Sequence, residues 1–271
     1  EIGGQFNVAK RVPGKEEFAE TLRYFSRKVR SAGVAVRLGA RVGAGELADG
    51  KYDDVVLATG VVPRDPRIPG QEHPKVLSYV DVLLRGAPVG KSVAVVGAGG
   101  IGFDVAEFLV HGERTKGADG PDLATWMREW GVTDPEVEPG GVTKPRPEPP
   151  ARKVYLLQRK KTRPGAGLAK TTGWIHRAAL KMKDVEMIAG ARYDRVDDRG
   201  LTVSFGEKGE RTRLLEVDNV VLCTGQEPLR ELEAPLRAAG VKVHLIGGAD
   251  VAAELDAKRA IEQGTRLAAS L

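Results

Sequence analysis

Short apolar runs alternate along this chain with longer stretches in which apolar residues recur at helical spacing. Phe18, Leu22, Phe25 and Val29 recur this way between Lys15 and Ala32, which predicts a helix stopped by Gly33. Val34 to Leu38 reads as a strand, and so does Asp54-Val55-Val56-Leu57, which ends in the small-residue turn Ala58-Thr59-Gly60. Pro63, Pro66 and Pro69 then carry the chain across the surface. From Lys91 the pattern becomes a strand (Ser92 to Val96), a glycine turn (Gly97 to Gly102) and a helix (Phe103 to Val110). Residues 112–150, with six prolines between Pro135 and Pro150, read as a surface insertion holding one short helix from Asp122 to Trp130.

A strand returns at Val154 to Leu157 and ends in Gln158-Arg159-Lys160-Lys161. The remaining pattern predicts a helix from Trp174 to Lys183, a β-meander from Val185 to Val217, and a strand Asn219 to Cys223 that ends in Thr224-Gly225. A strand Val243 to Ile246 ends in Gly247-Gly248, and an amphipathic helix runs from about Asp256 to Ala269. Strands alternating with helices predict an α/β architecture with a parallel sheet.

Composition adds limits. The chain has 271 residues, 41% of them hydrophobic, enough for two globular domains. Its 34 glycines stand singly at the ends of apolar runs and mark tight turns and close backbone approaches. The net charge of +5 could suggest nucleic acid, but 37 acids interleave the basic residues and no basic stripe with aromatics exists. Phosphorylated small molecules explain that charge as well. The one cysteine, Cys223, rules out a disulfide framework and a thiolate metal site, and His73, His111, His176 and His244 lack ligand spacing. No run approaches the ~18 apolar residues of a membrane span, and no signal-peptide pattern is present, so a cytoplasmic location is expected. The start at Glu1, without methionine, reads as a piece of a longer protein.

Chemistry concentrates in the glycine turn. In Gly97-x-Gly99-x-x-Gly102 the first glycine permits the turn, the second lets backbone approach a pyrophosphate, and the third lets helix pack on strand. A phosphate there meets the free N–H groups and the positive end of the helix. The competing reading is a plain tight turn. An acid about 20 residues on would hold the ribose 2′-hydroxyl of NAD. Arg159 stands 57 residues after Gly102, or 18 without the 39-residue insertion, and Gln158 to Lys161 contain no carboxylate. Arginine pairs its fork with a 2′-phosphate, so NADP(H) is predicted over NAD(H), against the alternative of a solvated charge run.

Ala58-Thr59-Gly60 and Cys223-Thr224-Gly225 end their strands alike, which suggests two homologous nucleotide domains. Asp250, after Gly247-Gly248, reads as a group for a ribityl or ribose hydroxyl, or else as a turn residue. The octet Lys170 to Arg177 is polar and unusual; Thr171 and Thr172 read as helix caps and His176 as a structural helix residue. No nucleophile–base pair or carboxylate dyad stands out, so no catalytic side chain is predicted.

In this order the motifs resemble the C-terminal part of the bacterial NADPH-dependent 2,4-dienoyl-CoA reductase family, related to trimethylamine dehydrogenase. The matching stretches are Glu1 to Asn7, His73 to Tyr79, Gly99 to Asp104, Leu157 to Lys160, Lys170 to Arg177, Gly225 to Pro228 and Val243 to Gly248. The resemblance implies two nested Rossmann-like domains: 1–89 with 226–271 for FAD, lacking its first strand, and 90–225 for NADP(H). It implies FAD contacts at Gly3, Gly4, Gln5, Phe6, Ala58, Thr59, Gly60, Gly248 and Asp250. For NADP(H) it implies Gly97, Gly99, Gly100, Ile101, Gly102, Arg159, Lys160, Thr224 and Gly225. Family members also carry an N-terminal flavin barrel with FMN and an iron–sulfur cluster, which this chain lacks, since one cysteine cannot hold a cluster. Hydride transfer from NADPH to FAD is the expected role. The rival expectation is a non-catalytic NADP(H)-binding or protein-interaction module without bound flavin.

Overall fold

A computed structural model describes residues 1–111, 122–207, 209–253 and 256–271. The chain divides into two compact units: residues 1–4, 27–65 and 225–271 form the first, and 5–26 with 66–224 form the second.

The second unit is built on a five-stranded parallel sheet. Its spatial order is β3 (Val76–Ser78), β10 (Asn219–Leu222), β4 (Ser92–Val96), β5 (Lys153–Leu157) and β6 (Glu186–Ile188). A parallel sheet covered on both faces needs strands that are apolar at every position, and Val93, Ala94, Val95 and Val96 are all 0% exposed. On one face lie α5 (Gly100–His111) and α7 (Gly173–Met182), which contribute Val105, Leu109 and Leu180 to the core. The other face is covered by an antiparallel sheet of β7 (Arg192–Asp197), β8 (Gly200–Phe205) and β9 (Arg211–Glu216), whose Leu201, Val203 and Leu215 pack with Ala94, Val96 and Tyr155. β3 passes directly into α4 (Tyr79–Leu83) through a capping box, in which Ser78 and Asp81 each satisfy the other's backbone N–H.

The first unit has two small sheets: a parallel pair, β1 (Val55–Leu57) with β12 (Val243–Leu245), and an antiparallel pair, β2 (Val61–Pro63) with β11 (Gln226–Pro228). Val55, Leu57 and Val243 form its core with Leu236 of α8 (Glu233–Ala238). The last helix, α9 (Ala257–Ala268), opens at Asp256, whose carboxylate accepts from the Arg259 amide.

Several expectations need correction. Val34 to Leu38 forms no strand, and Val34, Val36 and Leu38 are exposed; strand-like residues without a pairing partner gain nothing from extension. The predicted meander splits, because Glu186–Ile188 joins the parallel sheet as its edge and only residues 192–216 form the antiparallel sheet. Pro63 sits in β2, and the proline-rich crossing is anchored by buried Ile68, part of the core beneath the antiparallel sheet. Thr172 occupies the N-cap position of α7, yet its side chain makes no capping hydrogen bond.

Part of the predicted insertion, residues 112–121, lies outside the described residues. The remainder docks: in α6 (Leu123–Trp130) Glu129 is buried and accepts from buried Lys183 at 2.8 Å and from the Glu148 amide at 3.3 Å. Burial would raise the Glu129 carboxyl, but Lys183 and the Glu148 amide hold it below the usual range.

Candidate functional site

In the second unit the predicted phosphate turn sits between two strand ends. The Gly97 amide donates to the Leu157 carbonyl at 2.8 Å, and the Cys223 amide donates to the Val96 carbonyl at 2.8 Å. The carboxyl ends of β5, β4 and β10 are thereby stitched side by side, which brings Arg159, Gly97 and Thr224 to one edge of the sheet.

The three fingerprint glycines divide as the spacing predicts. Gly97 has φ +113°, and a Cβ there would stand 2.2 Å from the Cys223 carbonyl oxygen. A Cβ on Gly102 would meet the Gly97 carbonyl oxygen at 1.7 Å, so this glycine lets α5 press against the strand end. Gly99 and Gly100 instead face open space, with nothing within 4 Å of an added Cβ. The space beside them adjoins the first turn of α5, where Ile101 also lies and where N–H groups have no intrahelical acceptor. That combination fits the pyrophosphate of a dinucleotide.

The loop after β5 is firmly held although its cations are exposed. The Gln158 amide donates to the Ile188 carbonyl, Gly190 N–H to Lys160 and Ala191 N–H to Gln158, all within 3.0 Å. The Gln158 side chain also donates to the Lys160 and Thr162 carbonyls. Arg159, Lys160 and Lys161 project outward, with no carboxylate bonded to them among the described residues. Burial pushes the Tyr193 phenol up to about 12, while the Arg159 charge pulls it the other way.

In the first unit the ends of β1 and β12 meet, and the Ile246 amide donates to the Leu57 carbonyl at 3.2 Å. Ala58-Thr59-Gly60 and Gly247-Gly248-Ala249-Asp250 therefore share one edge. The Thr59 hydroxyl donates to the Leu229 carbonyl, and Leu229 N–H donates to Gly60 at 3.0 Å. The Asp250 carboxylate accepts from the Gln263 side-chain amide at 2.8 Å, and the Gln263 oxygen accepts from Gly247 N–H at 2.7 Å. Arg230 donates to the Asp250 carbonyl at 2.7 Å. An open cavity of about 490 Å³ beside β12 and α9 takes in Asp250 and Gln263. Gly60 faces open space as well, so this edge fits the close approach of a flavin nucleotide.

The boundary between the units runs through two of the predicted groups. Gly3 and Gly4 belong to the first unit, whereas Gln5 and Phe6 belong to the second, where Phe6 packs edge-on against Phe18 at 5.0 Å between ring centres. Gly225 belongs to the first unit, where its carbonyl accepts from Arg64 N–H, while Thr224 stays with the second. Gln263 gave no signal in the sequence, since one amide on an amphipathic helix carries no motif. Among the described residues no cluster of three potential metal ligands occurs, and no helix is long and apolar enough to cross a membrane.

Comparison with known proteins identifies the family. The family model for pyridine nucleotide-disulphide oxidoreductases matches residues 8–258. A metal reductase of Desulforamulus reducens is 24% identical over 92% of this chain and 36% of its own length. An NADH oxidase of Thermoanaerobacter brockii is 28% identical over 92% of this chain and 33% of its own length. The structure of a 2-naphthoyl-CoA reductase superposes with a TM-score of 0.75 at 20% identity, covering 97% of this chain and 34% of that one. The chain thus spans about a third of the length of these relatives. Despite the family's name, this sequence has only Cys223, buried and with its thiol pushed up by burial and then by the Asp104 charge, so it forms no intrachain disulfide. The chain belongs to the pyridine nucleotide-disulphide oxidoreductase family, with the α/β fold of a flavoprotein reductase.

Proposed function

We propose that this chain is the NADPH- and FAD-binding portion of a reductase of the 2,4-dienoyl-CoA reductase type. When bound, the two cofactors supply hydride exchange between nicotinamide and flavin. The chain's residues bind and orient: no side chain need move a proton for that step. Gly97 to Gly102 seat the pyrophosphate, with Thr224 beside it, and Arg159 and Lys160 select the 2′-phosphate. Ala58 to Gly60, Gly248 and Asp250 line the flavin edge, where Gln263 fixes the Asp250 carboxylate. FMN and an iron–sulfur cluster belong, on this reading, to a flavin barrel outside this chain, because one cysteine cannot hold a cluster.

The observation that carries the reading is an open glycine turn next to a strand end that bears free cations and no carboxylate. An acid at Arg159 would repel a 2′-phosphate, and a ribose hydroxyl would tolerate it. Arg159→Glu is therefore expected to weaken NADPH binding by about 10- to 100-fold, the worth of a charge-assisted contact. NADH binding should change by less than about threefold. Equal losses for both nucleotides in a calorimetric titration would remove Arg159 from the proposed site.

A further inference from the structure

A second cationic feature lies away from the glycine turn. Arg163, Arg177 and Lys181 line a cavity of about 420 Å³ together with Val185 and Met187, and no carboxylate among the described residues lines it. Arg177 and Lys181 are one helical turn apart on α7, so they share a face. The Arg177 guanidinium donates to the Gly165 carbonyl at 2.9 Å, yet its Nε is buried without a hydrogen-bond partner. Neither Arg163 nor Lys181 has an acidic partner among the described residues. Of the two acids that flank Val185, Glu186 is taken by Arg213 in a paired contact and Asp184 does not line the cavity.

Three uncompensated cations around one cavity repel each other, and a buried unpartnered Nε costs free energy. An anion with several acceptor oxygens relieves both. The cavity draws on edge strand β6 and the residue before it, through Met187 and Val185, and on the loop after β5, through Arg163, four residues beyond Arg159; competition with NADPH therefore decides whether it is distinct from the 2′-phosphate site. The apolar wall from Val185 and Met187 suits a ligand that carries carbon next to its phosphate. A structural role is the plain alternative: Arg177 would only brace the loop at Gly165, and Lys181 would only offset the negative end of α7.

We propose that Arg163, Arg177 and Lys181 form a second anion site that takes a phosphate-bearing small molecule other than the dinucleotide on the Gly97–Gly102 turn. The test is calorimetric titration of the unaltered chain with inorganic pyrophosphate in saturating NADH, which fills the glycine turn, and again in saturating NADPH. One-to-one binding is expected in both. The double substitution Arg163→Gln with Lys181→Gln changes two exposed side chains and should weaken pyrophosphate at least about tenfold. NADH affinity should stay constant. Hydrogen exchange on the unaltered chain gives an independent readout, with pyrophosphate slowing amides in 163–187. Displacement of pyrophosphate by NADPH and not by NADH would assign the cations to the 2′-phosphate and overturn a separate site. Unsaturable binding, or binding indifferent to the double substitution, would leave Arg177 and Lys181 with the structural role and overturn the proposal.

Discussion

The two units spend similar strand sequences very differently. In the second, β4 is apolar at every core position and Val93 to Val96 are wholly buried between helices and an antiparallel sheet. In the first, β1 reads Val55-Val56-Leu57, but Val56 is 40% exposed and the parallel sheet has two strands. The final helix, α9, buries no residue. A two-stranded parallel pair with a half-exposed central valine gives up much of the apolar burial that normally stabilises such sheets. The glycine turn at Gly97–Gly102 therefore stands on a self-contained scaffold, and the edge at Gly60 and Asp250, proposed for the flavin, stands on a thin one. Nucleotide binding should accordingly be the sturdier property of this chain.

Substitutions in the second unit should then show large effects and those in the first small ones. Lys183→Met would leave the Glu129 carboxylate buried without its cation, a loss of about 3–5 kcal/mol in unfolding free energy. In the native chain the Glu129 carboxyl lies below its ordinary value, so its stabilisation is present above about pH 4.3 and fades as pH falls through the folded value. The deficit of the variant should shrink on acidification; a deficit independent of pH would mean that packing, not charge, carries it.

Gly102→Ala comes next. Its Cβ would stand 1.7 Å from the Gly97 carbonyl oxygen, and displacing α5 from the strand end should cost about 3 kcal/mol. A thermal melt unchanged by this substitution would show that the turn is looser than the close approach implies.

The smallest effect belongs to the first unit. Asp54 accepts from Lys242 at 2.7 Å and from His244 at 2.6 Å, and these contacts, Lys242 foremost, hold its carboxyl below the usual range. That stabilisation exists above the ordinary Asp value of about 3.9 and disappears as pH falls through the folded value. Asp54→Asn should lower the melting midpoint slightly at neutral pH and not at all in acid. A drop as large as that of Lys183→Met would erase the contrast between the units.

Much of this was legible in the sequence because periodicity and glycine spacing report local physics. The strand–turn–helix around Gly97 to Gly102 was readable since a turn, a close approach and a helix packing each need glycine at a fixed offset. Long-range pairing was not readable. Val34 to Leu38 has strand composition without a partner, and Glu186–Ile188 looked like the start of a hairpin although β5 claims it. The short β2–β11 pair and the Ser78–Asp81 capping box escaped because three-residue strands and a five-residue helix leave little periodicity. On the flavin side, Gln263 shapes Asp250 through tertiary contact alone.

Titration of the unaltered chain with NADPH and NADH, side by side at one ionic strength, tests the account most directly. Both should bind, because the glycine turn serves the shared pyrophosphate. NADPH should bind at least about tenfold more tightly, through the cations at Arg159 and Lys160. Failure of both nucleotides to bind a folded chain would contradict the claim that the second unit is a working dinucleotide site.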